Sequence, residues 1–435
     1  YSFGGALMVE RTVACLTLGC KVNQYDSEIM LERLIEKGFK AVPFDEKADV
    51  YIINTCVVTQ TGEKKSRQMI RRAMKQNPEA DIIICGCLAQ KEGERLLDTG
   101  ARLIIGNQRR GEIYELLEKA KDEGLCLVAV EDIKKVPFED VQVTNHIGYT
   151  RAIMKIQEGC DRFCSYCIIP FVRGNIRSKG LESIEKEASS LAEAGFIEIV
   201  LTGIHLTSYG RDLNGESLAD AIEAVAGQEK IRRIRLGSLE PVIITENFVD
   251  RISKIKKLCP QFHLSLQSGS DRTLRRMARR YTKDEFRNAV KLLREKFPLC
   301  AISTDIIAGF PGESEEEHRE SLKFAEEIGF SKSHIFPYSM RSGTRAAGFP
   351  DQNPRQVKEQ RAHEHIQLAQ RSQESYAKSL LFTVQEVLFE EEDENGAAGY
   401  TPQYLRVYME GAKSGEIKKL LLTAYDDEQF SGEEL

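Results

Sequence analysis

Three cysteines fall within eight residues of this chain, in the run Cys160-Asp-Arg-Phe-Cys164-Ser-Tyr-Cys167. Three thiolates this close in a loop can hold three irons of a [4Fe–4S] cube, leaving the fourth iron without a protein ligand. The run follows a strand-like stretch, 151–157, that ends at Gly159. A loop at the carboxyl end of a strand is where a β/α barrel holds its ligands. A zinc site built from these cysteines and a distant histidine is the competing reading. Zinc sites favour Cys-x2-Cys pairs, and only one of the two gaps here has that length.

The rest of the chain sets this loop in a repeated strand–helix pattern. Strand-like stretches recur at 197–202, 231–237, 262–267, 301–308 and 334–338. Helical stretches near 181–194, 216–226, 245–257, 282–296 and 314–328 lie between them. Six such units predict an open (β/α)6 partial barrel. The first ~120 residues repeat the pattern independently. Strands are expected at 12–18, 50–54, 81–85 and 102–105, with helices over 25–37 and 63–75, after the third strand, and from Glu112. Alternation of this kind predicts a parallel sheet. Residues 121–147, mixed and charged around Pro137, read as a linker. Residues 355–379 are polar and helix-compatible. Three further strand candidates, 383–390, 405–410 and 418–424, predict a small terminal β domain, with 390–394 and Asn395-Gly396 as turns. The expected fold class is therefore α/β multidomain. It divides into a parallel-sheet domain over 9–121, a linker over 122–145, the partial barrel over 146–376 and a small β domain over 377–435.

Eleven cysteines without a secretory signal do not suggest a disulfide framework. Clustered cysteines in such a chain are more often metal ligands or catalytic. The opening residues 1–7 lack a basic region and read as an extension ahead of Met8. The longest apolar runs are strand-length, so no membrane association is expected and the cytoplasm is the expected location.

The open iron of the first cluster is chemically useful. The amino and carboxylate groups of S-adenosylmethionine can chelate it, and an electron from the cluster can cleave the sulfonium to release a 5′-deoxyadenosyl radical. Cys20, Cys56 and Cys87 form a second set, far apart in sequence but each just after an expected strand. In a parallel sheet such positions converge at the carboxyl edge, so the three can hold a second cluster. Buried, unreactive cysteines are the bland alternative. Cys15 reads as a core residue. The role of Cys85 stays open, because it sits two residues from Cys87 and would point the same way from a strand. Cys126, Cys259 and Cys300 carry no motif and read as structural.

The first run resembles the signature of the radical S-adenosylmethionine superfamily. The resemblance implies that Cys160, Cys164 and Cys167 ligate the cluster and that the backbone of Tyr166 meets the adenine. Leu201-Thr-Gly203-Ile204 is similar to the segment that binds the methionine amino group, and Ile306-Ile-Ala-Gly309-Phe-Pro-Gly312-Glu313 to the segment flanking the adenine. The whole chain resembles the methylthiotransferase family. Thr17-Leu-Gly-Cys20-Lys-Val-Asn-Gln-Tyr-Asp26-Ser, Ile53-Asn-Thr-Cys56, Gly86-Cys87-Leu-Ala-Gln and Leu264-Ser-Leu-Gln267-Ser-Gly-Ser-Asp271 carry this likeness. It implies two [4Fe–4S] clusters, a C-terminal TRAM-like barrel and two molecules of S-adenosylmethionine. One would methylate a sulfur at the cluster on Cys20, Cys56 and Cys87, and the other would yield the radical at Cys160, Cys164 and Cys167. The partners implied are the tRNA anticodon stem-loop, an electron donor such as flavodoxin or ferredoxin, and a sulfur donor. The run Gly19-Cys-Lys21-Val-Asn-Gln-Tyr most resembles the branch acting on threonylcarbamoyladenosine beside the anticodon. Isopentenyladenosine in tRNA and a ribosomal-protein side chain are the competing substrates. A non-catalytic metal-binding RNA adaptor is the competing class.

Charge bears on the RNA reading. The formal net charge is −6, and from Tyr376 onward 13 acidic residues face 5 basic ones, which leaves +2 for the rest. Any grip on RNA must be a local patch. Lys64, Lys65, Arg67, Arg71 and Arg72 form one candidate, and Arg275, Arg276, Arg279, Arg280 and Lys283 another. A solvated helix face is the alternative for both. In the acidic terminal domain, only Arg406, Lys413, Lys418 and Lys419 offer a basic face.

Overall fold

The computed structural model describes residues 10–144 and 150–435, so the extension at residues 1–7 and the expected boundary at 145–146 lie outside the described residues. The chain forms two compact units. One comprises residues 1–145 with the short pieces 158–161 and 168–175, and the other comprises the remainder.

The first unit is built on six parallel strands: β1 (Thr12–Thr17), β2 (Lys40–Ala41), β3 (Val50–Thr55), β4 (Asp81–Gly86), β5 (Leu103–Ile105) and β6 (Leu127–Ala129). Their order across the sheet is β2-β1-β3-β4-β5-β6. β3 is buried along its whole length and β4 all but its first residue, as strands covered on both faces must be. Two apolar clusters lie on the two faces, one containing Tyr51, Ile53 and Ile84, the other Ile52, Ile83 and Leu103. Helices α1 (Lys21–Glu36), α2 (Gln60–Gln76), α3 (Cys87–Glu92) and α4 (Ile113–Asp122) connect the strands. The helix expected from Tyr25 begins four residues earlier, because Gly19 at φ +108 turns the chain sharply out of β1. The stretch expected to be a linker is instead packed. It supplies β6, buries Ile133 and Val143, and its Val141 carbonyl accepts a hydrogen bond from Tyr25 at 2.8 Å. A three-residue strand set among charges is too short to show a period.

In the second unit, β7 (Ala152–Glu158), β9 (Glu198–Gly203) and β10 (Arg233–Leu236) pair in parallel, with the short β8 (Arg177–Ser178) beside β7. Strands β11 (Gln261–His263), β12 (Ala301–Ala308) and β13 (Lys332–Pro337) form a second parallel group. Two parallel bridges, Ile234 to Leu258 and Leu239 to Leu264, link the two groups into the expected open barrel of six main strands. The strand expected over 262–267 stops at His263, and the chain kinks at Gln267, whose φ is +67. Helices α6 (Leu181–Glu193), α7 (Leu218–Ala226), α8 (Glu246–Ile252), α10 (Lys283–Lys296) and α11 (Glu315–Ile328) lie between the strands, with a short α9 (Asp271–Arg276) before α10. Ser217, Thr282 and Ser314 each cap their helix in a reciprocal capping box, which satisfies end N–H groups that have no partner within the helix. The outer side of the strands packs on these helices in one large core that includes Leu201, Ile234, Phe262 and Ile306. A short helix, α5 (Ile169–Arg173), belongs to the first unit.

Helix α12 (Arg355–Lys378) runs on to a closed five-stranded barrel. Its strands are β14 (Val384–Glu392), β15 (Gly396–Tyr400), β16 (Arg406–Glu410), β17 (Ile417–Asp426) and β18 (Gln429–Glu434), in the order β14-β15-β16-β18-β17. Sequence expectation captured three of these. β15 reads Gly-Ala-Ala-Gly-Tyr, with none of the β-branched residues that signal a strand. Its glycines are required by close approach: a Cβ at Gly399 would lie 2.3 Å from the Leu388 carbonyl oxygen. β18 is masked by its glutamates. Among the described residues no helix is long and apolar enough to cross a membrane.

Gly86 ends β4 at φ +86 and ψ −156, a conformation reserved for glycine. A Cβ there would sit 2.3 Å from Asn54 Oδ1 and 2.8 Å from the Thr55 carbonyl. Gly86→Ala should therefore destabilise the first unit by about 2 kcal/mol or more, read as a lower urea midpoint.

Candidate metal centres

The structure brings Cys20, Cys56 and Cys87 together at the carboxyl edge of the first sheet. Cys20 caps α1, Cys56 follows β3, and Cys87 opens α3. The turn that carries Cys20 lies against Cys56, since a Cβ on Gly19 would be 3.2 Å from the Cys56 sulfur. Cys56 is fixed by its N–H bond to Ser66 Oγ at 3.1 Å, and burial pushes its thiol up to about 11. Cys85 does not join them. It lies in the cluster on the opposite face of the sheet, with Ile52 and Ile83, because the turn at Gly86 breaks strand alternation before Cys87.

Behind the trio lies a buried polar network that the sequence reading did not single out. The Arg173 side chain has no solvent exposure. Its Nε donates to Cys87 Sγ at 3.4 Å, and its Nη1 donates to Asp26 at 2.9 Å and to Glu158 at 3.1 Å. Its Nη2 donates to Asn23 Oδ1. Asn23 in turn donates to the carbonyls of Leu18 and Thr55 at 2.7 and 3.0 Å, tying the turns after β1 and β3 together. A second buried guanidinium, Arg110, pairs with Asp26 at 3.0 Å and with Glu139 at 2.8 Å. Asp26 stood within a family-like segment. Arg173, six residues after Cys167, had no signal of its own, because its role comes from burial.

The Cys160–Cys167 run forms neither helix nor strand. Its entry is set by Gly159 at φ +73, where a Cβ would overlap the Asn175 carbonyl oxygen, and by the Cys160 N–H bond to the Gly174 carbonyl at 3.0 Å. In the second unit, Cys167 N–H bonds the Cys164 carbonyl at 2.9 Å, and Ser165 is held from both sides by the backbone of Arg276, Met277 and Ala346. Arg279 Nη1 donates to Cys164 Sγ at 3.3 Å, and its Nη2 pairs with Glu240 at 2.9 Å. Glu240 also meets Arg162 at 3.0 Å and the His205 ring at 3.2 Å. Burial alone would raise this carboxyl, but the His205 ring and the two guanidinium groups outweigh it and hold Glu240 down at about 2.

The remaining expected positions fall around this network. The Tyr166 ring meets Phe310 edge-on at 6.3 Å. Gly203 abuts Gln157, leaving no room for a Cβ. Gly309, at φ +70, packs on Lys358 and donates its N–H to Glu313 at 2.7 Å. Neither cysteine set is tied up in disulfides, and each has a guanidinium N–H aimed at one sulfur. That donor set fits iron–sulfur clusters, whose sulfurs accept such bonds.

The two basic clusters fare differently. On α2, Arg67 and Arg72 pair with Glu92 and Asp45, while Lys64, Lys65 and Arg71 are exposed. In the second cluster Arg279 turns inward to Cys164, and Arg276 and Lys283 pair with Glu317 and Glu320, so the expected patch is reduced to Arg275 and Arg280.

Residues 12–106 match the family described as Uncharacterized protein family UPF0004, and residues 154–325 match the Radical SAM superfamily. A Bacillus subtilis protein named threonylcarbamoyladenosine tRNA methylthiotransferase MtaB is 40% identical over 433 residues, 96% of each chain. The chain belongs to the methylthiotransferase family of radical S-adenosylmethionine enzymes. An Aquifex aeolicus MtaB is 37% identical over 94% of this chain and all of its own. A Clostridium tetani tRNA-2-methylthio-N(6)-dimethylallyladenosine synthase is 34% identical over 96% of this chain and 95% of its own. Among solved structures, the radical S-adenosylmethionine methyltransferase TsrM of Kitasatospora setae shares the fold. Its TM-score is 0.54 at 16% identity, over 76% of this chain and 77% of its own. Membership in the radical S-adenosylmethionine enzymes implies S-adenosylmethionine and a [4Fe–4S] cluster as cofactors of this methylthiotransferase.

Two outcomes follow for this methylthiotransferase. Arg173→Met removes the buried guanidinium that Asp26 and Glu158 share and should cost about 3–5 kcal/mol, measured by denaturation of the metal-free protein. Glu240, at about 2 when folded and near 4.5 when unfolded, contributes stability that is complete above about pH 5 and is lost as pH falls toward 2. That contribution is on the order of 3 kcal/mol. Stability measured from about pH 6 down to pH 3 should fall further in the wild type than in Glu240→Gln, narrowing the gap between them.

Proposed function

We propose that this protein is a tRNA methylthiotransferase that adds a methylthio group to threonylcarbamoyladenosine beside the anticodon, with a [4Fe–4S] cluster on each cysteine set. The observation that carries this reading is the pairing of two separate three-cysteine sets, each with a buried arginine N–H on one thiol. The nucleoside follows from the two MtaB relatives, which match nearly the full chain.

Cys160, Cys164 and Cys167 would hold one cluster and Cys20, Cys56 and Cys87 the other. With S-adenosylmethionine bound, the first supplies the radical chemistry that an unactivated carbon requires. The chain's own residues position and shield these groups. Arg279 donates to Cys164 and is itself fixed by Glu240, so the thiol keeps one orientation. Arg173 does the same for Cys87 from a site closed to water. Tyr166 with Phe310, and the tight glycines at 203 and 309, shape the surface on which the methionine and adenine parts of the cofactor would lie. The exposed Lys64, Lys65 and Arg71 on α2 are suited to phosphate contact.

The Clostridium tetani relative favours dimethylallyladenosine as a second reading. Nucleoside mass spectrometry separates the two. The reconstituted protein is incubated anaerobically with S-adenosylmethionine, a reductant, sulfide and tRNA carrying either nucleoside. The expected result is a methylthio increment on threonylcarbamoyladenosine alone. Cys164→Ala should abolish both this product and 5′-deoxyadenosine release. Cys87→Ala should abolish the product while 5′-deoxyadenosine release continues. Product from Cys87→Ala would overturn the second cluster, and an increment only on dimethylallyladenosine would overturn the substrate.

A further inference from the structure

Asp305 lies on the inner face of the barrel and lacks what the neighbouring half-buried and buried acids have. Glu198, Glu240, Glu313 and Glu317 each meet an arginine. No lysine or arginine lies within ion-pair distance of Asp305 among the described residues, and its close partner is the imidazole of His263, Nε2 to Oδ2 at 3.2 Å. The carboxylate is 30% exposed, so a cation can reach its oxygens from solvent.

Three neighbouring strands supply the rest of a ligand set. In register, His263 on β11 faces Ser303 on β12, and Asp305 faces His334 on β13. Ile302 and Ile306 of β12 enter the core under the helices. Strand alternation therefore turns Ser303 and Asp305 to the opposite, concave side. The ligand atoms of His263, Asp305 and His334 all lie within 4.8 Å of one another. In a tetrahedral site with bonds of about 2.1 Å, ligand atoms sit about 3.4 Å apart. The His263–Asp305 separation already matches, and His334, within 4.8 Å of both, needs to close by at most about 1.4 Å. It is an exposed side chain on the barrel's last strand, with its ring 6.0 Å from that of His263.

The surroundings of His263 fit the same reading. Its Nδ1 lies 3.2 Å from Ser303 Oγ, which also accepts a hydrogen bond from Gln261 Nε2 at 3.3 Å. A metal-bound histidine donates its other ring N–H to an oxygen of this kind, which fixes the tautomer and leaves the opposite nitrogen for the ion. Two imidazoles, one carboxylate and open positions suit a divalent first-row transition ion.

We propose that His263, Asp305 and His334 bind one such ion, with its remaining positions open to the concave face of the barrel for water or another oxygen ligand. This site is independent of the tRNA reading and shares no residue with either cysteine set.

Manganese(II) is the probe, because it prefers carboxylate and water oxygens to thiolates and so spares the cysteine sets. The full-length, cluster-loaded protein is titrated anaerobically with Mn(II), and loss of the free-ion signal is followed by electron paramagnetic resonance. The expected result is one site per chain, with nitrogen modulation from imidazole in the pulsed spectrum. His334→Ala should weaken binding at least tenfold, and Asp305→Asn should do the same. His334 is exposed, so its variant tests the site even if Asp305→Asn fails to fold. Absence of binding at millimolar Mn(II), or binding unchanged in His334→Ala and without nitrogen modulation, would overturn the proposal.

Discussion

The first unit depends on how it shelters a positive charge from water. Arg173 and Arg110 are both buried, and each is tolerated because Asp26 and Glu158 are buried with them and the half-buried Glu139 meets Arg110. Desolvating such charges is expensive, and a broken pair costs more than an apolar replacement of the whole network. The gain is positional. Asp26 sits on α1, Glu158 ends β7 and Asn23 holds the turns after β1 and β3, so one guanidinium fixes the directions from which several elements approach Cys87. A cysteine cluster needs that fixity, because its ligands come from turns that would otherwise be loose.

The second unit reaches the same end with the opposite sign. There the buried centre is an anion, Glu240, surrounded by Arg279, Arg162 and His205. Arg279 then passes the constraint on to Cys164. In both units the sulfur is one step removed from a carboxylate, with a guanidinium between. The intervening cation offsets the negative charge that three thiolates and a cluster would bring into a low dielectric.

What was legible in the sequence follows this division. Cysteine ligands could be read because the chemistry resides in the residue type and the spacing at strand ends. Strands such as β3 and β12 could be read because their apolar runs are long enough to show burial. Arg173 and Arg279 could not be separated from surface arginines, and Arg279 was grouped with an RNA-binding patch, because only the fold decides which guanidinium faces inward. The same limit hid His263, Asp305 and His334, which lie 71 positions apart at the extremes and meet only through strand register. Cys85 stayed open for a local reason, the positive-φ turn at Gly86 that breaks strand alternation before Cys87.

The acidic terminal barrel has a structural account in the same terms. Its glutamates are partnered in part by the radical core. Arg151 pairs with Glu390 at 2.7 Å and Arg232 with Glu386 at 3.0 Å. Arg233 and Arg235 donate to the carbonyls of Tyr400 and Pro402 at 3.1 and 2.9 Å, and Arg151 and Arg235 lie over the Tyr404 ring. Two of the basic residues that offered an RNA-facing surface are themselves neutralised, Arg406 by Glu391 and Lys418 by Glu434. The acidic excess of the barrel is thus complementary to a row of core arginines just before β7 and at the start of and along β10. That complementarity assigns part of the excess to docking on the core, and it leaves Lys413 and Lys419 as the barrel's exposed cations for any contact with RNA.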